Sequence, residues 1–231
     1  MDVEPASHQT IAFEELDEWC HIAYYEMAQR IGGQYDASRS QVIVDGFMQP
    51  SSADRFCLGH LTNIQRTPDI DRVRLRIGHG VKFYQVHGNV FAECLSESPV
   101  YVQSPIANRM KNWHPATVCK IPSRTLPRSA RSCATTDRFH SLGDRFQIFD
   151  SQNFAEVLEC AIQEGYAAVY NLTKICTIRM SFVKGWGVDY ERSTVTSTPC
   201  WIEIHLDGPL KWIDRVISIL PGPIESTTSA S

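Results

Sequence analysis

The sequence predicts a mainly β domain with α elements, an antiparallel β-sandwich carrying a helical cluster. Three observations lead there. Between Trp19 and Ile121 short apolar runs alternate with Gly- and Asn-bearing breaks, the spacing of strands and hairpins. Beyond residue 145 the apolar period lengthens to three and four residues, the spacing of one helix face. At 231 residues and 43% hydrophobic, the chain has material for one large core.

Residues 1–18 form an acidic lead-in, with Asp2, Glu4, Glu14, Glu15, Asp17 and Glu18 and no Lys or Arg, expected to be flexible. Val42 to Val44 reads as a strand. Asp69 to Ile77 reads as a short helix with Ile70, Val73 and Ile77 on its apolar face and Gly78 as its stop. Val81 to Val86, the turn His87-Gly88-Asn89 and Val90 to Cys94 make a hairpin. Val100 to Val102 and Thr117 to Ile121 add strands. Residues 123–145 mix Ser, Thr and Pro with Arg124, Arg128, Arg131, Arg138 and Arg145 and read as an exposed, flexible loop. Next, Phe154, Val157, Leu158, Ala161 and Ile162 form a helical stripe that ends at Gly165, and Tyr166 to Ile175 a second, shorter helix. Strands follow at Thr177 to Val183 and Cys200 to Leu206. Pro209 then opens a last helix with a Leu210, Ile213, Val216, Ile217 and Leu220 stripe, ended by Pro221-Gly222-Pro223.

Net charge is −4, which argues against a chain built to coat nucleic acid or an anionic membrane. No run approaches the ~18 apolar residues of a membrane-spanning helix, and the acidic N-terminus has no signal-peptide pattern. Eight cysteines, spread evenly without a C-x-x-C pair and mostly among apolar neighbours, read as reduced core residues in an intracellular compartment rather than metal ligands. No cofactor is expected.

Several longer blocks occur in order: Asp45-Gly46-Phe47, Arg55 to Gly59, Ile77 to Val81, Ala92 to Ser96, Tyr101 to Pro105, Trp113 to Pro122, Arg179 to Gly187 and Ser197 to Leu206. Together they resemble the C-terminal Mad-homology domain of the Smad proteins, in register from Trp19 to Leu220. The resemblance implies a forkhead-associated-like sandwich, with a three-helix bundle at one end and a loop-and-helix face at the other. It implies a non-enzymatic signal transducer of the transforming growth factor β superfamily, phosphorylated on its tail by a type I receptor serine/threonine kinase. It further implies trimers with like or common-mediator Smads, passage from cytoplasm to nucleus, and recruitment of transcription factors and co-regulators. Nothing in these 231 residues resembles the family's N-terminal zinc- and DNA-binding domain, so no direct DNA binding is expected.

The tail, residues 221–231, would in isolation be an ordinary Ser/Thr-rich terminus. By resemblance it presents Ser229 and Ser231 as receptor-kinase targets, with Thr228 as a further acceptor. Lys120 and Lys184 match the family's phosphoserine-binding lysines, and Lys111 stands where relatives carry Tyr and would strengthen or re-aim that pocket. Asp45, Arg55 and Asp214 read as solvated surface charges whose family positions are the subunit interface. Glu191 and Thr194 occupy receptor-specificity positions, Glu191 matching neither branch of the family and Thr194 the activin type. Trp113 is either a core aromatic or part of a hydrophobic corridor for partner proteins. The 123–145 insertion reads as a tolerated loop, with a basic docking segment as its sharper alternative. A pathway antagonist or constitutive Smad that binds without tail phosphorylation is the second functional reading. An enzyme reading rests on Cys119 and His114 as thiol and base, and lacks an orienting Asn or Asp.

Overall fold

A computed structural model describes residues 17–124 and 145–221. The lead-in up to residue 16, the insertion from 125 to 144 and the tail acceptors Thr228, Ser229 and Ser231 lie outside the described residues. Two sheets stack through one core, which runs from Trp19 to Val216. The six-stranded sheet is ordered β2-β1-β11-β10-β7-β8, with β1 Cys20–Glu26, β2 Gln29–Ala37, β7 Val100–Gln103, β8 Cys119–Ile121, β10 Thr177–Phe182 and β11 Trp201–Leu206. The five-stranded sheet is ordered β4-β3-β5-β6-β9, with β3 Gln41–Asp45, β4 Arg55–Cys57, β5 Val81–Val86, β6 Asn89–Cys94 and β9 Phe146–Phe149. All neighbours are antiparallel except the short β3–β4 pair.

Period-two alternation gives each sheet its buried face, as in β10, where Ile178, Met180 and Phe182 point inward and Arg179 outward. The β5–β6 hairpin forms where expected, its turn taken by His87 at φ 49 and Gly88 at φ 77. Gly80 is required by close approach as well as by its φ of 64, since a Cβ there would lie 1.9 Å from the Val44 carbonyl oxygen.

Helices cover the two ends. Thr67 caps α1 (Pro68–Leu75), two residues shorter at its C-terminus than the apolar spacing predicts, because Arg76 and Ile77 turn in 3₁₀ fashion onto Val73 and Arg74. At the opposite end Asp150 caps α3 (Ser151–Glu164), whose Phe154, Leu158 and Ala161 are buried and whose Gly165 sits at φ 95. The expected helix from Tyr166 to Ile175 is α4 (Tyr166–Asn171) followed by a 3₁₀ turn, Leu172–Cys176. The last helix, α5 (Asp207–Ile219), starts two residues before Pro209, which lies inside its first turn, where its missing N–H costs nothing. With α3 anchored on the β5–β6 turn by the Ser151 N–H donating to Asn89 Oδ1 at 3.0 Å, these helices define one end of the sandwich.

Other elements differ from the sequence reading. The helix α2 (Pro105–Met110) is not among the expected elements, although Ser104 caps it and Pro105 occupies its first position. Strands β1 and β2 lay in a stretch where no strand was delimited. Arg145, read as the end of the insertion, lies immediately before β9, a strand the sequence reading did not delimit.

Seven cysteines, Cys20, Cys57, Cys94, Cys119, Cys160, Cys176 and Cys200, are free thiols, all buried except Cys160, while Cys133 lies outside the described residues. Burial pushes the Cys176 and Cys200 thiols up to about 12, so they pack as small hydrophobes. No helix among the described residues is long and apolar enough to cross a membrane.

Candidate functional site

The outward face of the six-stranded sheet carries one continuous cross-strand row: Arg30, Tyr25, Trp201, Ser181, Tyr101 and Lys120. Lys120, half-buried in β8, stands beside Tyr101, and Tyr101 beside Ser181. Just past β10 the chain turns sharply. Val183 has φ 68, a left-handed conformation rare for a β-branched residue, with its N–H donated to the Pro99 carbonyl at 3.0 Å. The Lys184 N–H donates to the Phe182 carbonyl at 2.7 Å, and Ser181 Oγ to the Lys184 carbonyl at 2.6 Å.

The loop from 183 to 199 then folds onto the sheet's outer face. Trp186, 4% exposed, packs with Tyr101 and Val118 in a second, small apolar cluster, backed by Tyr190 and Val195. Tyr190 meets Tyr101 edge-on at 5.1 Å. Only glycine fits at 185, where a Cβ would lie 2.7 Å from the Tyr190 ring. Lys120 and Lys184 therefore flank the Tyr101–Ser181 pair across two strand spacings, about 10 Å, which lysine side chains span readily. Neither ammonium has an acidic partner among the described residues. Two unpaired cations beside an aromatic platform are suited to an anion.

Glu191 and Thr194 sit further along the same loop. The Glu191 side chain is 93% exposed, with Arg192 Nη1 at 4.0 Å, and Thr194 Oγ1 lies 3.0 Å from Thr196 Oγ1. Both are open to solvent.

The charges read as surface groups are placed differently. Asp45 is 1% exposed, and Arg55 of the same chain donates to it through Nε at 2.5 Å while the Phe47 N–H donates to its other oxygen at 2.9 Å. The reading of Asp45 as a solvated charge is thus corrected, because the segment from Gly46 to Gly59 folds over a strand position whose phase faces outward. Asp214 is exposed on α5, at the helical end, whereas Asp45 closes β3 at the other end. Within one copy the pair and Asp214 do not meet.

Lys111 is not brought to Lys120 and Lys184. It caps α2, with Nζ 5.5 Å from the Trp113 ring centroid and 5.9 Å from that of Phe146, and it lines a groove of about 380 Å³ on the outer face of the five-stranded sheet. Trp113 is partly buried against the main core and offers its remaining surface beside Lys111. The core reading of Trp113 holds in part.

The family model of the MH2 domain matches residues 17–207. This chain is an MH2 domain. Such domains, the C-terminal Mad-homology domains of Smad proteins, are protein-interaction modules of signal transduction and transcriptional co-regulation rather than a known enzyme family. The chain is also similar to solved structures at low identity: a chain of the crystal structure of STAT2 in complex with IRF9, at TM-score 0.53 and 10% identity, covering 86% of this chain and 96% of that one. The interferon regulatory factor 9 IAD domain matches at TM-score 0.54 and 8% identity, with 90% and 93% covered. At that identity the likeness is one of fold, the Smad-type β-sandwich.

The thiol–base pair does not form in this MH2 domain. Cys119 is 2% exposed and faces Asn108 Oδ1 at 3.9 Å, while His114 is exposed and its Nδ1 accepts the Ala116 N–H at 3.1 Å. Five residues along a turn and a strand leave one group inside and the other outside.

The sequence reading offered a partner corridor only at Trp113 and singled out none of the groove's lining residues except Lys111 and Arg145, both for other reasons. The groove's floor, Tyr84 and Phe91, alternates outward on β5 and β6 and could have been found from period two alone, but its wall comes from α2 and β9.

Proposed function

We propose that this MH2 domain is the effector domain of a receptor-regulated Smad. In this reading a type I receptor kinase phosphorylates Ser229 and Ser231, with Thr228 as a further acceptor. The phosphorylated tail of one copy then binds Lys120 and Lys184 of the next, and the assembly moves from cytoplasm to nucleus to recruit transcription factors and co-regulators. The observation that carries the proposal is the pair of unpartnered lysines flanking Tyr101 and Ser181. Family resemblance supplies the identity of the anion. The placement of Asp45–Arg55 and Asp214 at opposite ends supports a head-to-tail contact, which closes into a ring such as a trimer with like or common-mediator Smads. In this reading Glu191 and Thr194, exposed on the same loop, contact the receptor. The groove beside Lys111 and Trp113 serves partner proteins.

The energetics favour a switch. Neutral Ser229 and Ser231 hydroxyls offer hydrogen bonds of about 1 kcal/mol net, too little against the several kcal/mol of freedom lost on association. Phosphates add about −1.5 to −2 charge each and raise each lysine contact to roughly 1.5–3 kcal/mol. Sedimentation of unmodified, doubly phosphorylated, and phosphorylated Lys184→Ala protein tests this. Assembly is expected only for the second. If all three sediment alike, the tail switch is wrong and a constitutive or antagonist Smad that binds without tail phosphorylation takes its place.

A further inference from the structure

The groove on the five-stranded sheet has an electrostatic character that the partner-binding reading does not require. Its floor is a stacked pair, Tyr84 and Phe91, with ring centroids 5.3 Å apart. Its rim carries Lys111 and Arg145. Lys111 spends its charge only on the Trp113 and Phe146 rings, and the Arg145 guanidinium lies 5.4 Å from the Tyr84 centroid. Cation–π contacts desolvate such groups without neutralising them. Lys82 is a third cation above Tyr84, at 5.7 Å, but it has Glu93 as its cross-strand neighbour. The remaining acid in this region, Asp150, accepts the Gln147 side-chain amide at 2.9 Å and caps α3. None of the groove's lining residues is acidic, and among the described residues Lys111 and Arg145 have no carboxylate partner.

A second observation points to a ligand. The Tyr84 hydroxyl is buried and has no hydrogen-bond partner among the described residues. Burial pushes this phenol up, with Arg145 opposing, so it holds its proton at neutral pH and is a donor without an acceptor. A buried donor left unsatisfied is costly, and such groups are rare in folded proteins. An apolar floor, one idle buried donor and two uncompensated cations call for a ligand that is apolar on one side and anionic on the other. At about 380 Å³ the space suits one large side chain with a neighbouring carboxylate.

We propose that this groove docks an extended segment of a partner protein, placing a large apolar side chain on Tyr84 and Phe91 and an Asp or Glu side chain within reach of Lys111, Arg145 and the Tyr84 hydroxyl. The inference rests on the reading of the groove as a partner surface and adds the chemistry it selects. Residues two apart on an extended chain share a face, so the acidic residue stands two positions from the apolar one.

Fluorescence anisotropy with labelled twelve-residue peptides tests it, using a central Phe followed two residues later by Asp, Asn or Lys. The Asp peptide is expected to bind about tenfold or more tighter than the Asn peptide at low salt, with the gap shrinking at high salt. Arg145→Gln, at an exposed side chain, should close most of the gap, and Lys111→Gln with Arg145→Gln should erase it while leaving the Asn peptide within about twofold. Tyr84→Phe should weaken the Asp peptide several-fold. Equal binding of Asp and Asn peptides would overturn the acidic preference yet leave the groove a partner surface. Absence of binding by all three would overturn both. If deleting residues 1–16 tightens the Asp peptide about tenfold, the chain's own acidic lead-in is the occupant and the partner proposal falls.

Discussion

Two segments lie at the end of the sandwich opposite α3, and they are fastened by different physics. The segment from Gly46 through α1 is held by carboxylates. Glu26, 2% exposed at the end of β1, accepts from Arg66 Nε at 3.0 Å, Arg74 Nη1 at 3.0 Å, Asn63 Nδ2 at 2.7 Å and the Tyr24 hydroxyl at 3.1 Å. The two arginines pass the restraint on, donating to the Leu61 and Gly59 carbonyls at 2.9 Å. Asp45 does the same on a smaller scale with Arg55 and Phe47. The loop from 183 to 199 is held instead by Trp186 on Tyr101 and Val118, with no buried ion pair among its described contacts. Charge anchors are directional and costly to break singly, because an unpaired buried charge remains. Aromatic anchors leave charges of the loop, such as Lys184, available to meet other molecules.

The largest effect should come from Glu26→Ala, which leaves the partly buried Arg66 and Arg74 without their acceptor. Unfolding stability is expected to fall by about 3–5 kcal/mol, read from the urea midpoint. A loss under ~1 kcal/mol would mean that the arginines find water and that the charge-anchored segment is not fastened here.

Asp45→Ala should cost somewhat less, about 3 kcal/mol, since Arg55 is partly exposed and can be solvated. This must appear in the isolated monomer. Loss of assembly with an unchanged melting temperature would return Asp45 to a purely intersubunit role and break the contrast between the two segments.

Trp186→Ala removes a satellite cluster rather than the main core, so the loop should open locally while the sandwich holds. Global stability is expected to fall by less than ~2 kcal/mol, but the Gly187 N–H, bonded to the Arg192 carbonyl at 2.7 Å, should lose its hydrogen-exchange protection. Uniform destabilisation would make the loop part of the core.

Acid should loosen the charge anchors before the aromatic one. Burial opposes the Glu26 charge, but hydrogen bonds from Arg66 and Asn63, with the Arg66 charge and the Tyr24 hydroxyl, outweigh it and hold the carboxyl below its ordinary 4.5. The hydrogen bond from His205 likewise lowers Glu203, aided by Arg179. A depressed carboxyl contributes stability that is complete above 4.5 and lost as pH falls through the folded value. Protection of the segment 59–75 should therefore fade below about pH 4.5 while that of Gly187 persists; the reverse order would contradict the assignment of anchors.

Lys184→Ala and Lys120→Ala should be the mildest, within about 0.5 kcal/mol in thermal unfolding, because neither lysine has a partner to lose. Larger losses would show that the aromatic loop uses them internally.

Local pattern was enough for the β5–β6 hairpin, for α3 with its Gly165 stop and for the α5 stripe, because each depends on neighbours within a few turns. Lys120 falls in an expected strand and Lys184 just past another, so their places in the chain follow from local pattern. It could not delimit β1, whose partner β11 lies about 180 residues away in the chain, nor the groove, which is assembled from β5, β6, α2 and β9. Asp45 shows why. Alternation in β3 puts Val42 and Val44 inward and Asp45 outward, and that much the chain alone determines. Whether an outward position meets water or a folded-over loop depends on where the chain returns, and period carries no information about that. The Gly46–Gly59 segment covers Asp45, desolvates it and makes Arg55 its partner. The tertiary structure thereby turns a surface charge into an anchor, and it leaves Lys111 and Arg145 on aromatic rings without an acid to meet.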